Sequence, residues 1–273
     1  MILASIKLPL LISLMCLFVI ACIVFLIIET YKIKIVSYEI KKGKVSKQIS
    51  DEKGLNIVFF SDIHIGKHLK KKQLDKRLKM LLDQNADLYI FGGDLIGKNI
   101  NKYYSIDDVS KAFSIFKDKT CIAIYGNHEY KIEKGIDSKL KDDYFKAMNF
   151  VVLNNTSYLF KKDDLQLEIY GMNDYIYHEA KLPDKQYDLV VCHEADIIDK
   201  MDNQIMLSGH THGGQIKIPL IPLYYKPING KKYFKGYYQT LNNQLIISNG
   251  LGFEFMKIRF NAPADIIKIK YIK

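Results

Sequence analysis

Arginine is almost missing from this chain: Arg77 and Arg259 are the only two among 40 basic residues, the other 38 being lysine. Arginine is the side chain that forks onto phosphates and reads base edges. The net charge of +10 is therefore a weak signal for nucleic acid, and no specific nucleic-acid partner is expected. Cysteine is equally sparse. Of four, Cys16 and Cys22 fall in one long apolar run, while Cys121 and Cys192 each sit inside a short one. No C-x-x-C spacing occurs, which argues against a zinc knuckle and a disulfide framework and leaves Cys121 and Cys192 as small buried side chains. Internal repeats and low-complexity linkers are absent too. From about residue 52 onward, roughly 220 residues remain, enough for one domain with a substantial core.

Charge itself is absent from Leu8 to Ile28, within "SIKLPLLISLMCLFVIACIVFLII". That length suits a helix spanning a bilayer. It exceeds the roughly 7–15 residues of a signal-peptide apolar region, and no small-x-small cleavage site stands near Cys22. Residues 1–29 are thus expected to be an uncleaved, single-pass anchor in the cell membrane. Residues 30–52 read as a basic, mostly polar juxtamembrane stalk. Seven lysines in residues 1–50 against Glu29 and Glu39 leave +5, half the total charge, and such a cluster reads as an anionic-lipid contact. Six of those lysines follow the span and only Lys7 precedes it, so the positive-inside rule favours a cytoplasmic main domain.

What the chain does have is one arrangement five times over. "LNIVFFSDIH" ends in Asp62 and His64, "DLYIFGGD" in Asp94, and "CIAIYGNHE" in Asn127, His128 and Glu129. "DLVVCHE" ends in His193 and Glu194, and "IMLSGHTH" in His210 and His212. Each begins with a short apolar run, and most are rich in β-branched or aromatic residues, the pattern of a buried strand. Helical patterns follow the first three, at 71–85, 105–118 and 137–149, with Ser105 and Asp137 as N-caps. Later strands are expected at 151–154, 166–171, 187–192, 205–208, 244–248 and 264–272. This order predicts an α/β protein of two packed sheets with helices outside. Each polar cluster falls at the carboxyl end of its strand, where open α/β sheets place their sites.

Five of the seven histidines lie in these clusters, beside two aspartates and an asparagine. Imidazoles and carboxylates buried together are badly solvated unless cations lie among them. Nitrogen and oxygen donors without thiolate suit Mn, Fe or Zn. Seven candidate ligands are too many for one tetrahedral ion and suit two divalent metal ions sharing a carboxylate.

The ordered set Asp62-Ile63-His64, Gly93-Asp94, Gly126-Asn127-His128-Glu129, His193 and Gly209-His210-Thr211-His212 resembles the calcineurin-like metallophosphoesterases. The likeness covers roughly 52–272. "SGHTHGGQ", "GNHEY" and "SNGLG" are similar to the membrane-associated, YaeI/YkuE-type phosphodiesterase branch, in a broad group of which some members cleave the pyrophosphate of UDP-diacylglucosamine. The resemblance implies a four-layer α-β-β-α sandwich of two mixed β-sheets over 53–273. It implies one metal on Asp62, His64 and His212, a second on Asn127, His193 and His210, and Asp94 bridging them. It further implies in-line attack on a phosphodiester or pyrophosphate by a bridging hydroxide, with His128 assisting the leaving oxygen as the catalytic side chain. The substrate expected is a phosphoester, plausibly lipid-linked. A phosphomonoesterase and an inactive membrane-bound binding module are the alternatives. Glu129 is expected either to orient a ligand imidazole or to be an ordinary exposed acid, and Arg259 either to hold a substrate phosphate or to sit as a strand-edge charge. Gly97 departs from the family pattern, which often has an acid there. The tyrosine-, lysine- and proline-rich loop at 219–239 reads either as a flap facing membrane or substrate or as a packed hairpin insertion.

Overall fold

The uncharged amino-terminal run forms a single helix, α1 (Ile2–Tyr31), whose apolar side chains from Leu8 to Ile28 are mostly exposed. Its segment Leu8–Tyr31, with a mean hydropathy of 3.3, is long and apolar enough to cross a membrane. The computed structural model describes residues 2–130, 138–177, 180–218, 220–221 and 226–273.

The expected stalk is instead part of the fold. Residues Ile33–Lys41 form β1 and Lys44–Ser46 form β2. β1 pairs in parallel with the last strand, β13 (Ala264–Ile272), over its whole length, from Ile33 opposite Ala264 to Lys41 opposite Ile272. The reason is apolar burial: Tyr38 and Ile40 of β1 enter the core with 2% and 0% exposure. The lysine cluster is consequently not juxtamembrane as a unit. β1 carries Lys41 and its followers roughly 25–30 Å from Ile33 at the rise of an extended chain, several Debye lengths along the sheet.

The first sheet contains seven strands in the order β2-β1-β13-β3-β4-β5-β6, the last four being Leu55–Phe60, Leu88–Phe91, Thr120–Ala123 and Val151–Val152. β3 to β6 are parallel, as the strand-helix alternation predicts, and β13 runs antiparallel to β3. The second sheet has six strands in the order β11-β12-β10-β9-β8-β7. These are Gly236–Gln239, Gln244–Ile247, Ile205–Ser208, Leu189–Val191, Leu165–Gly171 and Thr156–Lys162. β7 was not apparent in the sequence; it pairs as an antiparallel hairpin arm with β8.

Alternation along the strands sorts the core into layers. In β3, Ile57 and Phe59 point between the sheets, against side chains such as Leu189, Leu207 and Ile246. Val58 and Phe60 point outward under the helices. Each such fully buried side chain is worth roughly 1.5–3 kcal/mol of transfer free energy. The helices are α2 (Lys71–Leu82), the single turn α3 (Ile100–Tyr103), α4 (Ile106–Phe113) and α5 (Ser138–Met148). α2 buries Leu74, Leu78 and Leu81, the spacing of one helical face. Ser105 caps α4 as expected, accepting from the Asp108 amide at 3.1 Å while Asp108 accepts from the Ser105 amide at 2.9 Å. Asp137 lies outside the described residues. Over the second sheet the outer layer is thin: a 3-10 segment, Ala195–Lys200, and loops pack on Val190, Met206 and Leu245.

The arrangement brings the carboxyl ends of β3, β4, β5, β9, β10 and β12 to one end of the sandwich. Because β1 runs antiparallel to β3, its first residue, and with it the foot of α1, is at that same end.

Candidate metal centre

Each polar cluster begins where its strand stops. The turns after β3 and β4 are tied to each other by backbone bonds, Asp62 N to Gly93 O at 2.9 Å and His64 N to Asp94 O at 3.1 Å. This locks Asp62, His64 and Asp94 side by side. Five of the seven candidate ligands, Asp62, His64, Asp94, His210 and His212, have φ between 48° and 70°. Non-glycine residues there cost roughly 1–3 kcal/mol each and persist only where the surroundings over-determine them. Glycines make the approach possible. A Cβ on Gly126 would collide with the Asp94 carboxylate and come within 2.9 Å of the His193 ring.

All the expected ligands are buried, and Asp62, His64, Asp94, His193, His210 and His212 converge. Asp62, His64 and His212 could hold one ion, and Asp94, His193 and His210 another. His64 Nε2 lies 2.9 Å from His212 Nε2, and Asp62 Oδ1 lies 3.4 Å from the latter. Asp94 Oδ2 stands between the two sets, 3.5 Å from His64 Nε2 and 3.3 Å from His193 Nε2. Its other oxygen, Oδ1, accepts the His128 amide at 2.8 Å. Asp62 is oriented by the His210 amide at 3.1 Å and by the Ser61 hydroxyl.

The imidazoles are oriented for coordination. His193 donates from Nδ1 to Gly92 O at 2.7 Å, which turns its Nε2, fully buried and 3.3 Å from Asp94 Oδ2, into the site. His210 donates from Nε2 to Ile228 O at 2.8 Å, which frees Nδ1. The Asn127 side-chain oxygen is buried without a hydrogen bond. An orphaned buried acceptor beside carboxylates is what a divalent cation satisfies, and the donor set of nitrogen and oxygen fits one.

The electrostatics agree. Burial pushes Asp62 up to about 7, with the neighbouring Asp94 charge adding to it. Asp94 is held well below the carboxylate range: burial opposes this, but the His193, His128 and His64 charges outweigh it. Burial likewise opposes charge on His193, yet the Asp94 and Asp62 carboxylates raise it well above the imidazole range. The field that attracts a proton there attracts a metal cation equally. His210 falls to about 3 through burial and the His193 charge. His212 falls well below its usual value through burial, His64 and Arg259. Both stay neutral, as metal-binding imidazoles must be.

Two neighbours behave differently from expectation. Glu129 orients no imidazole; it clamps the backbone, accepting from Asp94 N at 2.9 Å, Gly126 N at 2.7 Å and Ile96 N at 3.0 Å. Arg259 is neither a strand-edge charge nor a substrate hook. It is fully buried behind His212, donating to the carbonyls of Gly252 at 2.8 Å, Asn249 at 2.9 Å and Ala262 at 3.0 Å. At Gly97 a side chain would strike the His64 and Ile65 backbone, so the family's acid has no room. Sequence reasoning missed Glu254. Its Oε1 lies 3.1 Å from His128 Nε2 and its Oε2 lies 3.4 Å from His64 Nε2. Flanked by phenylalanines in "GFEF", it offered no motif.

Comparison with known proteins agrees with this geometry. The sequence profile of the family described as calcineurin-like phosphoesterase matches residues 55–214. The chain is 27% identical over 252 residues to the uncharacterized metallophosphoesterase YkuE of Bacillus subtilis (strain 168), covering 88% of this chain and 85% of that one. It is 25% identical over 233 residues to the phosphodiesterase YaeI of Escherichia coli (strain K12), covering 79% and 82%. It is 30% identical over 261 residues to the uncharacterized metallophosphoesterase Cj0846 of Campylobacter jejuni, covering 88% of this chain but 63% of that protein.

Proposed function

The chain belongs to the calcineurin-like phosphoesterase family, and from its standing as a metal-dependent phosphoesterase we propose that it is a membrane-anchored, dinuclear hydrolase of a phosphodiester or pyrophosphate. The observation that carries this reading is Asp94 Oδ2, held within 3.5 Å of one histidine from each ligand set. Asp62, His64 and His212 would hold one divalent ion, and Asn127, His193 and His210 the other, with Asp94 shared. Bound there, divalent metal would supply Lewis acidity toward water and toward the phosphoryl oxygens. Manganese, iron and zinc all suit these donors.

The chain's own groups do the rest. Glu129 and the Gly126 turn hold Asp94 in register, and the His128 backbone amide orients its second oxygen. The His128 ring, next to the shared carboxylate at 3.9 Å, serves the leaving oxygen as proton donor or charge stabiliser. Anchoring by α1 supports a lipid-linked substrate, and the excess of lysines after the span over Lys7 before it, a bias that acts on the chain as it inserts, supports a cytoplasmic centre. The similarity to a named phosphodiesterase supports a diester.

The test uses the full chain in detergent, stripped of metal and resupplied with Mn²⁺. Metal-dependent cleavage of bis-p-nitrophenyl phosphate in preference to p-nitrophenyl phosphate, lost in Asp94→Asn, is the expected result. Cleavage of the monoester alone would make the protein a phosphomonoesterase. Bound metal with no cleavage of either would favour a binding module.

A further inference from the structure

The foot of α1 does not stand clear of the domain. The Thr30 hydroxyl accepts from the Arg259 amide at 3.3 Å. Tyr31 meets Phe253 edge-on at 6.5 Å, and Phe25 meets Phe260 at 6.2 Å. These contacts fix the depth of the domain relative to a membrane. Leu8–Tyr31 has 24 residues, about 36 Å of helix against roughly 30 Å of hydrocarbon. About four residues therefore emerge, and Phe25 lies just inside the hydrocarbon edge. Phe260 is drawn to the same level.

From Phe260 an exposed apolar rim extends. Phe260 donates to Gln215 O at 3.0 Å and accepts from Lys217 N at 2.8 Å. Directly after come Ile218, Leu220 and Ile221, all exposed, Leu220 completely. The Gln215 side chain donates to Met256 O at 2.6 Å, so exposed Phe255 and Met256 join the rim. Lys257, over the Tyr31 ring at 5.7 Å, and Lys217 stand among them, apolar stems with cationic tips. Behind the rim is the metal centre. Gln215 Oε1 accepts the Glu254 amide at 2.9 Å, and Glu254 reaches His128. An apolar patch ringed by lysine and continuous with an apolar helix matches a lipid surface better than a protein.

We propose that Ile218, Leu220, Ile221, Phe255 and Met256 form a second bilayer contact, which lays the mouth of the metal centre on the membrane in which α1 is set. The substrate class that follows is an amphiphile whose phosphorus lies at headgroup depth. This inference rests on the anchoring reading above.

The full chain, with Cys16→Ser and Cys22→Ser, is reconstituted in vesicles of phosphatidylcholine with a minority of phosphatidylglycerol. Cys121 and Cys192 are buried and stay unlabelled. An environment-sensitive fluorophore is placed at Leu220→Cys, at Met256→Cys or, as control, at Leu241→Cys. Leu241 is 95% exposed in the β11–β12 turn, at the end of β12 away from the centre. Shallow spin-labelled lipids should quench the first two labels several-fold more than the third. Equal, weak quenching of all three in protein that floats with the vesicles would overturn the rim contact and leave anchoring intact. Protein that fails to float would overturn anchoring, and the rim contact with it.

Discussion

His64 Nε2 and His212 Nε2 lie 2.9 Å apart, although 148 residues separate them in the chain. Two nitrogens bound to one ion, each at about 2.0–2.1 Å, would be roughly 3–3.4 Å apart. The pair is thus already at coordination spacing, on one side of Asp94, while His193 and His210 stand on the other. Removing one histidine should empty one position. His212→Ala is expected to lower bound metal from two ions per chain toward one, and His193→Ala to do the same at the other position, by elemental analysis after dialysis. Full metal content in both variants would refute the assignment. Stripping all metal should also lower the melting temperature, since a ligand at a hundred times its dissociation constant stabilises by about 2.7 kcal/mol.

His128 is held from two directions, by its own amide to Asp94 and by Glu254 at its ring. A side chain that assists the leaving oxygen contributes roughly 10²–10⁴ in rate. His128→Gln should lose turnover on that scale and keep both metals. If Glu254 acts by holding the His128 ring, Glu254→Gln should lower kcat more than KM. The double variant should then be no slower than His128→Gln, because the two changes touch one interaction. Additive losses would assign Glu254 a separate role.

The seam between β1 and β13 makes a prediction about where the catalytic domain begins. A fragment starting at residue 50 lacks β1 and β2. It leaves β13 with an open edge and removes Tyr38 and Ile40 from the core between the sheets. The two side chains alone account for roughly 3–6 kcal/mol of burial, comparable to the whole stability of many domains. A fragment starting at residue 32 should melt cooperatively and resist protease. The one starting at 50 should do neither.

These cases show what could be read from the sequence. The strand-end clusters were legible because each apolar run announces its strand and each polar group follows at once. The two sheets, the helices and the convergence of Asp62, Asp94 and His193 follow from that periodicity. β1 was hidden because "IKIVSYEIK" opens a lysine-rich stretch that reads as a polar stalk, and it finds its partner more than 220 residues away. Glu254 was hidden for a related reason: the loop after β12 has no period, and only the fold carries it to His128. The left-handed φ of five ligand residues is only faintly legible, since aspartate and histidine enter that region more often than other side chains but seldom enough that residue type alone does not assign it.

Arg259 separates architecture from chemistry at the centre. Its guanidinium carries no substrate. It gathers the carbonyls of Asn249, Gly250, Gly252 and Ala262 behind His212, in a space closed to water. Burial lowers its pKa to about 10, so it remains charged at neutral pH. Arg259→Met would leave several buried carbonyls without donors, at about 1–3 kcal/mol each. The expected loss is at least about 3 kcal/mol by chemical denaturation. Arg259→Lys should recover only part of this, because an ammonium cannot span the same acceptors. If Arg259 held the substrate phosphate instead, Arg259→Met would raise KM and leave the denaturation midpoint nearly unmoved. A shifted midpoint with KM preserved in the surviving folded fraction would identify it as the strut beneath the metal ligands.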